Sequence, residues 1–353
     1  MKAVILCGGE GTRMRPLSYS RPKHLIPVAN RPVLDWIVDD LSTAGVDCIA
    51  VIASPSTERR FRAYCSERSC EGLELSVIVQ EEPKGIAHAV LCAEGFVAGE
   101  SFLLYLGDNL FECGVRNLVN LFAAERPAAV IALKVVEDPR RYGVARLDNK
   151  RIVGLVEKPA NPPSSFAVVG AYVFTAAVFE AARQIEPSSR GELEITDTIQ
   201  RMIDMGAVVL PHNVEGWWHD VGEPTDMLQA NALVLARLAT KPEDMADDSM
   251  RRLADRAEVI DTKLCSPLAI GEGTHIVNSE IGPNVAIGSN CRISGCKLSN
   301  TIVLDNTILD GPIVGNELIV GEAAQIKARG HGIAISGTIG DGTIQTIELA
   351  NAP

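Results

Sequence analysis

The stretch AVILCGGEGTRMRPLSYSRPKHLIPVANRP, residues 3–32, places a glycine-rich turn and then a cationic loop directly behind a short apolar strand at residues 3–6. Five cations and no carboxylate lie between Gly11 and Leu34, although the whole chain has a formal net charge of -12. Glycines allow backbone N–H groups to approach a phosphate closely. The stretch therefore predicts a phosphate site, and the alternative is a turn that only connects two elements tightly.

The glycine turn departs from the two common phosphate-binding loops. A Walker loop needs Gly-Lys followed by Ser or Thr, and the dinucleotide fingerprint needs a third glycine after Gly9 and Gly11. Thr12 and Arg13 follow Gly11 instead. The pattern predicts that Gly8, Gly9 and Gly11 contribute backbone N–H groups to a different kind of phosphate site.

Composition narrows the class of protein. The 353 residues are 46% hydrophobic and 22% charged, which is ordinary for a globular chain of two domains. The pI of about 5.1 and the lack of a basic tail argue against a nucleic acid partner. The first apolar run is too short for a signal sequence or a membrane span, so we expect a cytoplasmic protein with no membrane partner. Nine cysteines without a Cys-x-x-Cys pair suggest neither disulfides nor a zinc site.

Alternating apolar runs and helical patterns predict an α/β domain with a Rossmann-like, mostly parallel sheet. The predicted strands are residues 3–6, 48–53, 75–79, 102–106, 129–135 and 168–174, and the predicted helices are residues 33–44, 87–95, 115–124 and 225–238. Ligands of such sheets bind beyond the carboxyl ends of the strands. Asp108 follows one of these strands, so we expect it close to the glycine turn.

The texture of the sequence changes after residue 238. We read residues 1–238 as a catalytic domain, the polar stretch 239–261 as a linker and residues 262–353 as a second domain. Aliphatic residues recur there about every sixth position, at Leu264, Ile270, Ile276, Ile281, Ile287, Ile293, Leu298, Leu304 and Leu309. This hexapeptide period predicts a parallel β-helix with inward aliphatic side chains, and a β-sandwich is the alternative. The pattern becomes irregular over 312–332, which predicts distorted or capping coils at the end.

Six further clusters join the glycine turn: QEEPKGIAHA at 80–89, Gly107-Asp108, YGV at 142–144, EKP at 157–159, RGELEITD at 190–197 and WHDVG at 218–222. Together and in this order they resemble the sugar-1-phosphate nucleotidyltransferases. The set is most similar to long-form glucose-1-phosphate thymidylyltransferases, in which a left-handed β-helix follows the catalytic domain. The resemblance implies an enzyme that transfers a nucleotidyl group from dTTP to α-D-glucose 1-phosphate, giving dTDP-glucose and pyrophosphate.

The resemblance also implies roles for individual residues. The implied catalytic residues are Arg13, Lys23, Asp108, Lys158 and Asp220, of which Asp108 and Asp220 would hold Mg²⁺. The implied nucleotide-binding residues are Leu6, Gly8, Gly9, Gly11, Thr12, Arg13, Gln80, Pro83, Gly85 and Asp108. The implied sugar-phosphate residues are Gly143, Glu157, Lys158, Gly170, Tyr172, Glu194 and Trp218. Because both substrates are anions, such a site supplies cations and alignment rather than a covalent nucleophile.

Several alternatives stay open. Lys23 could make a structural ion pair, Gln80 could simply end a strand, and residues 190–194 could be the start of a helix with ordinary surface charges. His24 stands where short-form relatives usually have glutamine, which leaves UTP or another base possible, together with another hexose or a cyclitol 1-phosphate. A non-catalytic regulatory subunit of the same fold is a different reading. We expect a homo-oligomer, and a β-helix that assists assembly and feedback binding rather than acyl transfer.

Overall fold

The computed structural model describes residues 1–240, with only the backbone of Thr240, and residues 256–348. The helices are α1 (Val33–Thr43), α2 (Glu58–Arg68), α3 (Ile86–Cys92), α4 (Glu94–Val97), α5 (Arg116–Glu125), α6 (Ala177–Ala182), α7 (Ile195–Asp204) and α8 (Pro224–Thr240). The first strands are β1 (Lys2–Leu6), β2 (Pro27–Val28), β3 (Arg31–Pro32), β4 (Cys48–Ala53), β5 (Glu74–Val79), β6 (Phe102–Leu106), β7 (Asn109–Phe111), β8 (Ala129–Val135), β9 (Gly143–Asp148), β10 (Arg151–Glu157), β11 (Phe166–Phe174), β12 (Val209–Asn213) and β13 (Trp218–Asp220).

The remaining strands belong to the C-terminal region. They are β14 (Glu258–Ile260), β15 (Lys263–Leu264), β16 (Leu268–Ile270), β17 (His275–Val277), β18 (Glu280–Ile281), β19 (Val285–Ile287), β20 (Arg292–Ser294), β21 (Lys297–Val303), β22 (Ile308–Asp310), β23 (Ile313–Val320), β24 (Gln325–Arg329), β25 (Ile333–Ile339) and β26 (Ile344–Glu348). The chain forms two compact units, residues 1–10 with 34–218 and residues 11–33 with 219–353.

The first unit is built on a nine-stranded sheet that contains the path β10-β9-β11-β6-β1-β4-β5. Strand β1 pairs in parallel with β4 and β6, and its residues Ala3, Val4 and Ile5 are fully buried. A strand covered on both faces has to be apolar throughout, which explains the unbroken run that begins the chain. The predicted Rossmann-like α/β fold is confirmed for this region.

Two details of the sheet differ from a simple parallel arrangement. Strand β11 runs antiparallel to both β6 and β8, because the chain reaches it after the antiparallel hairpin of β9 and β10. The helix predicted over residues 87–95 is two helices, α3 and α4, which meet at Ala93. The predicted strand positions nevertheless hold, since the apolar runs at residues 48–53 and 102–106 coincide with β4 and β6.

In the second unit the chain forms a parallel β-helix. One sheet has the order β14-β17-β20-β22-β24-β26, and strand pairing stacks Ile276, Ile293, Leu309 and Ile326 in one column. All four side chains are at most 1% exposed. The hexapeptide period thus marks inward positions as predicted, because each coil places an aliphatic side chain over the one before it.

One expectation about the β-helix is wrong and another is supported. Leu264 is 44% exposed rather than inward, because β15 is the end strand of its sheet and pairs, among the described residues, only with β18. The expected distortion of the last coils is found: β23 still pairs in parallel with β25, and β24 with β26, but the pairing of β23 with β25 shifts register between Gly315 and Leu318. The irregular spacing in that stretch reflects a bulge between Gly315 and Leu318.

The predicted linker cannot be judged as a whole. Residues 241–255 lie outside the described residues, and the end of the stretch contains strand β14, which pairs with β17. The domain boundaries therefore stay predictions, as does the left-handed sense of the β-helix. Across residues 1–240 and 256–348, no helix has the length and apolar character that crossing a membrane would need.

Candidate active site

Three predicted site residues of the first unit lie at one edge of the sheet. Leu6 ends β1 opposite Leu106 at the end of β6, so that Gly8 and Asp108 follow neighbouring carboxyl ends. Gln80 follows β5 at the same edge, and a Cβ added to Gly8 would lie 3.1 Å from its Oε1 atom. Any larger residue at position 8 would therefore push against the Gln80 amide.

The orientation of the Gln80 amide is fixed by its surroundings. Its Nε2 donates to the Gly85 carbonyl oxygen at 3.2 Å and lies 3.0 Å from His88 Nδ1. Because a carbonyl oxygen can only accept, the amide nitrogen must face Gly85, which leaves the acceptor Oε1 towards Gly8. The side chain is 8% exposed and held by Gly85 and His88, and its part in base binding stays a prediction.

Close packing against the protein's own backbone requires a glycine at position 85, which the sequence did not reveal. Its φ is +98°, and an added Cβ would lie 2.6 Å from the Leu193 carbonyl oxygen. The chain passes this closely because Leu193 N donates to the Lys84 carbonyl oxygen and Ala87 N donates to that of Leu193. Close approach at Gly85 is thus made by the protein's own backbone.

A buried asparagine organises the surroundings of Asp108. Asn109 is 3% exposed, and its Nδ2 donates to Asp108 Oδ1 at 2.7 Å. Its Oδ1 accepts from Gly170 N at 3.2 Å and from Trp218 Nε1 at 2.6 Å. A Cβ on Gly170 would lie 2.5 Å from Asn109 Cγ, so position 170 must be a glycine to leave room for the Asn109 side chain. Sequence analysis missed Asn109, whose only signal is its place after Asp108 behind a buried strand.

We expect Asn109→Ala to cost about 3 kcal/mol of unfolding free energy, because it leaves the Gly170 N–H and the Trp218 indole without their acceptor in a buried place. It should also raise the concentration of divalent metal needed for half-maximal turnover, because Asp108 loses its neighbouring donor. Urea unfolding and a metal titration measure these effects. Asn149→Gly is the matched control, since Asn149 Nδ2 donates to the preceding Asp148 in the same way at an exposed turn. Equal behaviour of the two variants would refute this role.

The predicted sugar-phosphate residues gather around Glu157. Its Oε2 accepts from Thr196 Oγ1 at 3.0 Å, and its Oε1 lies 3.6 Å from Lys158 Nζ. Gly143 faces the same carboxylate, and an added Cβ there would clash with Thr196 Cγ2. Lys158 is exposed and adopts a positive φ of 41°, an uncommon conformation for a residue of this type.

Glu194 takes part in a network that holds the start of α7. Its carboxylate accepts two hydrogen bonds from Arg190 Nη2, at 2.8 and 2.9 Å, and one from Ser188 Oγ at 2.7 Å. Arg190 also donates to Glu157 at 3.2 Å. Glu194 is 4% exposed, so this segment is more than the start of a helix with surface charges. The network joins the predicted sugar residues to one another.

Tyr172 is placed in the core. It is 2% exposed and stacks on Phe174 with ring centroids 5.7 Å apart. Burial, and after it the charge of Glu157, raises the pKa of its hydroxyl well above the ordinary value. Its observed role is therefore packing near Glu157, and a direct part in sugar binding stays a prediction.

Two other predicted nucleotide residues are open to solvent. Gly9 is exposed and an added Cβ would meet no atom within 4 Å, so protein packing does not explain the glycine there. Pro83 is exposed in the loop before α3. A ligand that comes close to the backbone would account for Gly9.

In the second unit, the glycine turn continues into the cationic loop. Gly11 has a φ of +62°, and an added Cβ would lie 3.3 Å from Lys23 Cβ. Thr12 and Arg13 are exposed. The Arg13 guanidinium lies near Gly222, where an added Cβ would be 3.3 Å from Nη2. Within residues 1–240 and 256–348, it makes no hydrogen bond or ion pair.

The segment that carries Asp220 is held by the first turn of α8. Asp226 Oδ2 accepts from Gly222 N at 3.2 Å and from Glu223 N at 2.9 Å. His219 Nε2 lies 2.8 Å from the Asp226 carbonyl oxygen. His219 therefore makes a hydrogen bond within the protein, and Asp220 is half-buried beside it.

Arg21 and Arg15, two of the loop cations, contact other side chains of the protein. Arg21 forms ion pairs with Glu322 and with Asp341, the latter at 3.2 Å, both on the β-helix. The Arg15 guanidinium lies 5.1 Å from the centroid of the Tyr19 ring. The high density of cations in the sequence thus combines phosphate candidates with residues that fix the loop on the β-helix.

The carboxylates suit a hard divalent cation. Asp108 and Asp220 are both half-buried, and each follows or ends a strand. Among the described residues there is no group of three or more His, Cys, Asp or Glu side chains that could hold a metal. A metal bound by either carboxylate would need phosphate or water oxygens to complete its coordination, as is usual for Mg²⁺ with nucleotides.

Comparison with known proteins places this geometry in context. The sequence profile of the family described as Nucleotidyl transferase matches residues 2–237. A glucose-1-phosphate thymidylyltransferase of Streptomyces antibioticus is 39% identical over 338 residues, which cover 94% of this chain and 95% of the relative. A low-salt glycan biosynthesis nucleotidyltransferase of Haloferax volcanii is 39% identical over 356 residues, which cover 93% of this chain and 100% of the relative.

Solved structures give a matching result. A crystal structure named as a putative glucose-1-phosphate thymidylyltransferase from Bacillus anthracis, in complex with sucrose, has a TM-score of 0.61 at 34% identity. The match covers 66% of this chain and 94% of that one.

Proposed function

This chain belongs to the nucleotidyl transferase family, and from that premise we propose that it transfers a thymidylyl group from dTTP to α-D-glucose 1-phosphate, releasing pyrophosphate and giving dTDP-glucose. The observation that carries the proposal is the sheet edge where Gly8, Gln80 and Asp108 lie together. This edge offers an open backbone, an oriented amide and a carboxylate, which are the groups needed for a phosphate, a base and a metal.

The Gln80 amide supports the choice of base. Its Nε2 is engaged by Gly85 and His88, so the acceptor Oε1 is the atom that a base would meet. Thymine and uracil present an N3–H donor, whereas N3 of cytosine is an acceptor and would face Oε1 unfavourably. The amide therefore favours dTTP or UTP over dCTP, and UTP is the second candidate on the same observation.

The reaction needs two anions to meet at the α-phosphorus. We assign Arg13 and Lys23 to the triphosphate, with Arg13 offsetting the charge that develops at the α-phosphoryl group and at the leaving pyrophosphate. We assign Lys158 to the phosphate of glucose 1-phosphate, and Glu157 and Gly143 to its sugar hydroxyls. The attacking phosphate oxygen needs no activation by a base, so alignment and charge neutralisation account for the catalysis.

We propose Mg²⁺ as the metal, held by Asp108 and Asp220 together with phosphate oxygens. When bound, it supplies positive charge that polarises the phosphoryl group being transferred. Asn109 and Asp226 keep the two carboxylate segments in place. A non-catalytic regulatory subunit is disfavoured, because such a protein has no need of five charged residues in these positions.

Location and assembly are part of the same proposal. All nine cysteines are free, including the exposed Cys70 and Cys113, which suits a reducing cytoplasm. Exposed apolar side chains such as Tyr19 and Ile344, 73% and 77% exposed, suit a homo-oligomer.

The proposal is tested by pyrophosphate release from purified protein with Mg²⁺, dTTP and glucose 1-phosphate, followed by mass identification of the product. Release should require both substrates and should yield dTDP-glucose, and Asp220→Asn is the inactive control. Release without the sugar phosphate would indicate simple hydrolysis and would contradict the proposal.

We expect Gln80→Leu to lower the preference for dTTP over dCTP about 10- to 100-fold, because leucine has a similar volume but removes one oriented acceptor worth about 1–3 kcal/mol. Competition between the two triphosphates in one reaction gives this ratio directly. The dTTP-to-UTP ratio should change much less, since both bases present the same N3–H. An unchanged dTTP-to-dCTP ratio would show that another residue reads the base.

A further inference from the structure

A cleft of ≈ 560 Å³ runs along helix α8 beside the later coils of the β-helix. Its size lies within the range of small-molecule sites. One side is apolar and the other is polar, and the residues that the argument uses are Pro224, Leu228, Ala232, Glu317, Ser336 and Thr338. None of these is among the residues predicted for the nucleotide, the sugar phosphate or the metal.

The apolar side is a single stripe of α8. Pro224, Leu228 and Ala232 are spaced four residues apart, which places them above one another on one face of a helix. A ring whose carbon–hydrogen face is flat can pack against such a stripe.

The polar side follows a corner that repeats in successive coils. Asn284 and Asn300 occupy this corner with φ of 60° and 44°, and Asn284 Nδ2 donates to Asn300 Oδ1 at 2.8 Å. Pairing of Thr301 with Leu318 puts Glu317 at the same corner of the next coil, with φ 52°. Asparagine tolerates this left-handed conformation, whereas glutamate gains nothing from it. Ala323 has the same conformation at another corner of the β-helix, with φ 56°, so it is the charge of Glu317 and its place in the cleft that distinguish this residue.

Charge and hydrogen-bonding capacity define the ligand class. Glu317 is the only charged residue of the cleft lining, and its carboxylate makes no hydrogen bond or ion pair within the described part of the chain. An unopposed carboxylate repels phosphate and accepts hydrogen bonds from adjacent hydroxyl groups. Ser336 and Thr338 can both donate and accept. We propose that this cleft binds a sugar-like polyol that carries no phosphate.

The cleft is connected to the segment that bears Asp220. Thr225 lines the cleft in the first turn of α8, and the next residue, Asp226, holds Gly222 and Glu223 by their backbone N–H groups. A ligand that fixes this turn also fixes the position of Asp220. Binding of the polyol is therefore expected to change the rate of turnover. Only this regulatory consequence rests on the proposed function; the binding site does not.

The test uses methyl α-D-glucopyranoside as the probe and saturation-transfer NMR on the full chain, with glucose 1-phosphate present at saturation to block the predicted sugar site. We expect saturable binding to the unmodified protein and about tenfold weaker binding to Glu317→Asn, which loses charge-assisted hydrogen bonds. Asparagine suits the left-handed corner, so this variant keeps its fold. Glu272→Gln, an exposed β-helix glutamate outside the cleft, is the matched control and should bind normally.

Two results would overturn the proposal. One is the absence of saturable binding to the unmodified protein, and the other is equal binding by Glu317→Asn and Glu272→Gln. Glucose 6-phosphate should fail to displace the probe, and displacement that depends on Glu317 would contradict the exclusion of phosphate. Because the readout is binding, failure of the proposed transferase activity would leave this result unchanged and separately visible.

Discussion

Arg13→Ala is expected to lower kcat for pyrophosphate release about 10³-fold while the protein keeps its melting temperature. The guanidinium lies beside Gly222 without a partner in the described part of the chain, so the fold does not depend on it. A cation placed against the charge that develops in phosphoryl transfer contributes about this much to the rate. Initial rates at saturating dTTP and glucose 1-phosphate, with thermal unfolding alongside, measure both parts.

Arg15→Ala is the matched control for this experiment. Arg15 is an exposed arginine of the same loop, and its guanidinium is 5.1 Å from the Tyr19 ring centroid. It should retain most of the activity. Equal losses in the two variants would mean that the loop acts through its overall positive charge, and the specific role of Arg13 would have to be given up.

Asp108→Asn is expected to remove metal-dependent turnover by about 10³-fold or more without unfolding the protein. The change deletes a ligand charge at a strand end but keeps the size of the side chain. A Mg²⁺ titration of the rate should show a large loss that extra metal recovers only in part. Asp148→Asn is the control, because Asp148 is exposed and also accepts a hydrogen bond from the asparagine that follows it. This variant should behave as the unmodified protein. A near-normal rate in Asp108→Asn would remove this residue from the metal site.

The buried strands of the first unit and the coils of the β-helix could be predicted from the sequence, because their signals are local. A strand buried on both faces must be apolar throughout, as at Ala3, Val4 and Ile5, and coils that stack identically must repeat their aliphatic positions. The exposure of Leu264 could not be predicted in this way. It depends on β15 being the end strand of its sheet, which is a property of pairing and not of the residue.

The candidate site shows the same division. Gly8 and Asp108 could be placed together because the carboxyl ends of neighbouring strands share an edge, whereas Gln80 was identified only by the family resemblance. The role of Asn109 depends on two partners from distant positions, Gly170 and Trp218, which no local pattern displays.

Long-range partners also change the meaning of residues that a local pattern does identify. Arg21 looks like one more phosphate ligand in the sequence, yet its carboxylate partners lie about 300 residues further along the chain, on the β-helix. Gly85 looks like a ligand contact and is required by the Leu193 backbone.

The most direct test of the central claim is a competition in one reaction. Purified protein, Mg²⁺, and equal concentrations of dTTP, UTP, CTP, ATP and GTP are combined with glucose-, N-acetylglucosamine-, galactose- and mannose-1-phosphate, and the nucleotide sugars formed are quantified by mass. The account predicts dTDP-hexose as the main product, glucose 1-phosphate as the acceptor consumed, and no product with Asp220→Asn. A main product with cytosine would contradict the assignment of Gln80, a main product with a purine would contradict the choice of dTTP, and no nucleotide sugar from any pair would contradict the proposed reaction itself.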